Sequence, residues 1–213
     1  MSTKNPQETA ARTGAVRKRT GRKSPAERHQ EIRDVAVGLA LDEGLAAITL
    51  RRIGARMGVA SSLVAHYEPR IDEFVAATFA RIAGLDRAEV ESARDGASGA
   101  GARLRALLGS SLDTERLAVT AVWVEAWGLG RRNEALAVSV REEMDAWQEL
   151  LRAGIQDGVD SGLYAVADPA AAAWQVLGMI DGLNAQALVR WEGVPDRREH
   201  FLEAVQHLLG ARG

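Results

Sequence analysis

From Ser24 onward the apolar positions repeat with a helical period. Ile32, Val35, Ala36, Leu39 and Ala40 fall at i, i+3, i+4 spacing. They follow Ser24-Pro25-Ala26-Glu27, a capping box with proline at the first helical position. This predicts a first helix that ends at Gly44. Two short helices come next, Leu50 to Met57 and about Ser61 to Tyr67, with Thr49 as N-cap, a break at Gly58-Val59 and a stop at Pro69. Gly58 tolerates the positive φ of a tight turn, and Ile53, Met57, Val59 and Val64 are spaced to meet where the two helices cross. Such a pair is a helix-turn-helix pattern, whose second helix lies in the major groove of DNA.

The pattern stays helical beyond Ile71. Phe74, Val75, Thr78, Phe79 and Ile82 share one face of a helix running to roughly Ser92, and Gly96 to Gly101 reads as a loop. Further helices are predicted over Arg103–Leu112, Arg116 to about Gly128 and Glu134–Gly158. Two more follow, from the Asp168-Pro169 pair to about Trp191 and from Pro195-Asp196 to Leu209. No alternating strand run appears, so the expected fold is all-α with about nine helices.

The helix-turn-helix stretch resembles the DNA-binding segment of TetR/AcrR-family transcriptional regulators. Thr49, Arg51, Ile53, Gly58, Val59, His66, Tyr67 and Pro69 stand at matching positions. The resemblance implies an N-terminal three-helix DNA-binding head on a larger ligand-binding and dimerisation body. The candidate phosphate contacts are Thr49, Tyr67 and Arg70, and the candidates near base edges or backbone are Arg51, Arg52, Ser61, Ser62, Ala65 and His66, with Arg51 and Arg52 equally readable as solvated surface residues. The pattern also departs from the family. Ala60, Ser61 and Ser62 replace the usual Ser, Lys and Gly, Glu68 replaces Phe, and Arg70-Ile71 replaces Ser-Lys. No operator sequence carries over from a relative.

Charge sharpens this division. The net charge of −2 says little, but residues 1–76 carry 13 Lys and Arg against 9 Asp and Glu, and the remainder 14 against 20. A basic front and an acidic back suit a DNA head on a body that avoids DNA. Residues 1–23 read as a disordered basic arm, either a solvated tail or a segment that tracks phosphates. The expected domains are this arm, a helix-turn-helix domain over 24–70 and a ligand-binding and dimerisation domain over 71–213. With no cysteine there is neither disulfide nor thiolate metal site. No apolar signal core opens the chain and no later run approaches a membrane span, so a soluble, cytoplasmic protein is expected.

The body has a narrower resemblance. Trp123-Val-Glu-Ala-Trp127, Trp147, Gly162-Leu-Tyr164, Asp168-Pro169 and Asp181-Gly182-Leu183 are similar to the choline-sensing, betaine-pathway branch of TetR regulators. The family habit implies a homodimer built on the last two helices, with contacts among Trp174, Leu177, Met179, Ile180, Leu183, Ala187, Val189, Phe201, Val205 and Leu208. A two-fold dimer would set two recognition helices about one DNA turn apart, ~34 Å.

Trp123 and Trp127 lie one turn apart on one helix. Val140, Met144, Trp147 and Leu151 form a stripe on the next, and Trp174 and Asn184 come from the helix after. The tryptophans either fill a core or wall a cage for a cation, each ring face contributing ~0.5–2 kcal/mol. Carboxylates on the same helices that could balance such a charge are Glu125, Glu142, Glu143, Asp145 and Asp181. Glu125 points some 200° away from both tryptophans by the helical period, so it cannot share their wall. Trp123, Trp127, Met144, Trp147, Trp174 and Asn184 are therefore the candidate ligand residues, for an unidentified small-molecule effector such as a quaternary amine or polyamine.

Other classes have little support. His200, Glu203 and His207 share a helix, but not at zinc-helix spacing, and no catalytic triad or phosphate loop is present. Neither enzyme nor cofactor is expected. The reading is a DNA-binding regulator, a repressor released from a palindromic operator by an effector. The alternatives are a helical protein-binding adaptor or a non-inducible DNA-binding protein.

Overall fold

The computed structural model describes residues 23–191, 193 and 196–211. The basic arm up to residue 22 and Pro195, expected to open the last helix, lie outside them. Among the described residues there are nine α-helices and no strand. They are α1 (Pro25–Glu43), α2 (Leu50–Met57), α3 (Ser61–Tyr67), α4 (Ile71–Asp95), α5 (Ala100–Ser111), α6 (Leu117–Gly130), α7 (Glu134–Asp160), α8 (Pro169–Leu188) and α9 (Arg197–Leu208). Short 3-10 turns at Leu45–Ala47 and Thr114–Arg116 lead toward α2 and into α6. No helix among the described residues is long and apolar enough to cross a membrane.

Three of the predicted start signals operate as read. Ser24 and Glu27 close a reciprocal capping box, Thr49 Oγ1 accepts from Arg52 N–H at 3.2 Å, and Asp168 Oδ1 accepts from the N–H groups of both Ala170 and Ala171. Gly58 adopts φ 67°, and Val59 N–H reaches back to Gly54 O at 2.9 Å, which closes the turn between α2 and α3. Among the boundaries that differ from expectation, two have a plain local cause. Gly99, at φ 86°, makes the break before α5, so Ala100 and Gly101 belong to the helix and not to a loop. Arg190 takes φ 56°, and the Arg190 and Trp191 N–H groups fold back onto Ala187 and Gln186, so α8 stops at Leu188.

Two apolar cores stack along the molecule. One begins in the head with Ile32, Leu39, Leu45, Ile53 and Val64, and runs unbroken through Phe74, Phe79 and Ile82 of α4 into Val122, Leu136 and Val140. The other joins Val90, Leu107, Leu151, Ile155, Val176, Phe201 and Val205 from the far end of α4 and from α5, α7, α8 and α9. Trp123 packs against both, at the seam. The head is thus continuous with the body through α4, and α1 also packs on α6.

Candidate functional site

In the head, α2 and α3 cross over Ile53 and Val64, both fully buried, which turns the polar edge of each helix outward. Arg51, Arg52, Ser61, Ser62, His66 and Arg70 are exposed, while Ala65 and Tyr67 are half-buried. The start of α3 leaves the two serines free of a capping role. Ala60 holds the N-cap position instead, with no side-chain hydrogen bond, so both hydroxyls remain open to solvent. Arg52 pairs with Glu43, and Arg70 with Glu73 at 2.7 Å. Arg51 makes no ion pair among the described residues.

Tyr67 is held by its neighbours. His29 of α1 stacks on it with ring centroids 6.1 Å apart, and His66 meets it edge-on at 5.4 Å. His29 Nε2 lies 2.6 Å from Glu68 Oε1. The acid that departs from the family pattern thus ties the end of α3 to α1.

The body encloses a cavity at the seam between the two cores. Its walls come from six segments: Asp86 on α4, Ser111 on α5, Arg116 before α6, Trp123 and Trp127 on α6, Met144 and Trp147 on α7, and Leu177, Asp181 and Asn184 on α8. Its volume is about 50 Å³. The two α6 indoles tilt at 50° with centroids 6.1 Å apart, and Phe79 braces Trp123 edge-on at 4.9 Å.

Five of the six candidate ligand residues come together here: Trp123, Trp127, Met144, Trp147 and Asn184. The exception is Trp174. It stands on the outer face of α8, 67% exposed, in a shallow groove with Arg141 and Asp145. The reason is its position on the helix, since Ala173, Val176, Leu177 and Ile180 take the inward positions around it. Asn184 is partly committed, because its side-chain amide donates to Ser111 O at 3.0 Å.

Of the candidate counter-charges only Asp181 faces the cavity. Glu142 and Asp145 are exposed, and Glu143 lies 3.6 Å from Arg87. Glu125 turns to the head, as its position on the helix requires, and accepts from Ala46 N–H at 3.5 Å. Asp181 has no hydrogen-bond or ion-pair partner among the described residues. Burial alone raises its carboxyl from 3.8 to about 6.

Two charged wall residues were not anticipated, Asp86 and Arg116. Burial raises the Asp86 carboxyl to about 6, against the opposing pull of the Arg116 guanidinium paired with it. Asp86 was legible in principle. It continues the apolar stripe of Phe79, Ile82 and Val90, and an acid at such a position is unusual. Arg116 gives no comparable signal, since only the packing of α6 against α4 brings it inside.

The residues among which the resemblance implied dimer contacts divide by burial. Leu177, Ile180, Phe201 and Val205 are buried within the single chain, whereas Trp174 and Val189 stay exposed and Met179, Leu183, Ala187 and Leu208 partly so.

Residues 100–211 match the C-terminal domain family of BetI-type transcriptional repressors. No curated protein matches the chain. Several solved structures share the whole architecture. A protein described as a transcriptional regulator from Saccharomonospora viridis, in complex with choline, is 20% identical over 85% of this chain and 97% of its own, with a TM-score of 0.75. A TetR transcription regulator from Haloarcula marismortui is 22% identical over 86% and 95%, with a TM-score of 0.69. The fatty acid degradation regulator FadR from Bacillus halodurans is 19% identical over 90% and 100%, with a TM-score of 0.66. With its helix-turn-helix head and the family match across its body, the chain belongs to the TetR family of DNA-binding transcriptional regulators and carries a BetI-type C-terminal domain.

Proposed function

We propose that the protein is a homodimeric repressor that leaves a palindromic operator when a small cationic amine enters the cavity. One observation carries the ligand class: Asp181 presents a partly buried, unpartnered carboxylate to a space walled by Trp123, Trp127 and Trp147. Ring faces and a bare carboxylate both attract a cation, and a desolvated site strengthens the attraction. Choline in the Saccharomonospora viridis relative supports the same class. The fatty acid regulator has the same fold, so the fold alone does not choose the ligand.

The route to DNA follows from what α4 and α6 touch. Helix α4 runs from the cavity wall at Asp86 to the first residue after the head, Ile71. Helix α6 carries both tryptophans on one face and Glu125, which meets the head at Ala46, on another. A ligand that spreads the cavity therefore moves the elements that seat the head. A second copy against the exposed part of the α8–α9 face would turn that motion into a change of half-site spacing. Thr49, Tyr67 and Arg70 serve as phosphate contacts in this reading, while Arg51, Arg52, Ser61, Ser62, Ala65 and His66 lie along the groove.

The test is binding of the purified protein to duplex DNA from upstream of its own gene, against a scrambled duplex, at two salt concentrations and with choline titrated in. Tight binding to the native duplex that salt and choline both weaken is the expected result. Specific binding that choline leaves unchanged would remove the cationic effector and keep the regulator. Absence of DNA binding at low salt, both to that duplex and to selected genomic fragments, would favour a protein-binding adaptor.

A further inference from the structure

The cavity wall holds three charged side chains, Asp86, Arg116 and Asp181; the remaining wall residues are neutral. Asp86 and Arg116 are already joined as an ion pair, both well shielded from solvent, and the guanidinium also reaches Asp86 O at 3.4 Å. They form an internal neutral unit. Asp181, from another helix, is left over. A buried site of low dielectric favours a ligand that brings its total charge to zero, because each surplus charge remains desolvated and unpaired.

We infer that Arg116 sets the charge of the ligand: by neutralising Asp86 it leaves one open carboxylate, so the cavity takes a monocation and rejects diamines and polyamines. Arg116 is then a specificity residue that occupies from within the place a second ammonium would need. The inference rests on the reading of the cavity as a cationic effector site, and it narrows that reading from amines in general to singly charged ones. It also explains why an arginine lines a cavity that would bind cations: its charge is spent on Asp86.

The measurement is calorimetric titration at pH 8, where both carboxylates are ionised. The probes are choline and the pair butylamine and 1,4-diaminobutane, which differ by one ammonium group. The intact protein should bind choline, and butylamine at least about tenfold more tightly than the diamine, the factor that one compensated charge in a partly screened site supplies. Arg116→Met uncovers Asp86 and should invert the order of the two amines. Asp86→Asn frees Arg116 to neutralise Asp181 and should abolish choline binding although Asp181 is untouched. The double variant Asp86→Asn/Arg116→Met returns the wall to a single negative charge and should restore the preference for one charge. Circular dichroism reports whether each variant is folded. If Arg116→Met does not fold, Asp86→Asn and the double variant decide.

Equal affinity of the intact protein for both amines, or choline binding unaltered by Asp86→Asn, would overturn the charge assignment and leave the effector reading standing. If none of the three cations binds the intact protein, the effector reading fails and the inference fails with it.

Discussion

Replacing Asp181 by Asn should stabilise the ligand-free protein, by an amount set by the burial of its carboxyl. Its value rises from 3.8 to about 6 because water is partly excluded and nothing replaces it. Each pKa unit is worth ~1.4 kcal/mol, so a fully enclosed group would cost about 3 kcal/mol when ionised. Asp181 retains some contact with solvent, which reduces this to about 1–2 kcal/mol. The sign follows from linkage. An acid whose value is raised on folding destabilises the native state when charged. The penalty is full above about 6, shrinks as the pH falls and disappears below 3.8. The Asn variant should therefore melt about 2–8 °C above the wild type at pH 8. Its advantage should fade on the way to pH 4. Thermal melts followed by circular dichroism at several pH values, read as variant minus wild type, isolate this group from the others. Under the proposed function, choline would raise the wild-type melting temperature and leave the variant unmoved. A lower melting temperature for the variant at pH 8, or a difference that does not depend on pH, would mean that the carboxylate is satisfied in the folded protein. Its role as an open counter-charge would then be lost.

Thr49→Ala removes the acceptor that caps α2 and should cost about 1 kcal/mol in urea unfolding, with Thr49→Ser recovering most of it. Arg51→Ala should lower the salt slope of DNA binding by about 1, and Arg52→Ala by less, since Arg52 already pairs with Glu43; equal slopes would refute the distinction. At Gly158 an added Cβ would run into the ring of Tyr164, so Gly158→Ala should cost about 1–3 kcal/mol of stability, read from the same urea melts. Phe79→Leu should cost about 1–2 kcal/mol and also shift the emission of Trp123, whose edge-on support it removes; unchanged emission would argue against the bracing role.

The sequence by itself determined the helices. Capping residues, proline starts and the apolar period are local, so Leu50–Met57 and Ser61–Tyr67 could be read to the residue, and the helix-turn-helix pointed to DNA. It also put Trp123 with Trp127, and Met144 with Trp147, on one face of their own helices by spacing alone, and packing then gathered five of the six ligand candidates in one cavity. It separated Glu125 from the two indoles, again by spacing. What the period cannot supply is which face of a nearly all-apolar helix turns inward. Helix α8 is apolar or small on most sides, so Trp174 was placed in the cavity when packing of its neighbours holds it outside. The Asp86–Arg116 pair joins residues 30 positions apart on two elements, and no local rule links them. Tertiary packing decided that these two charges cancel inside the cavity and that Asp181 does not. A charge is neutralised or left open by what lies within a few ångströms of it, and that distance belongs to the fold.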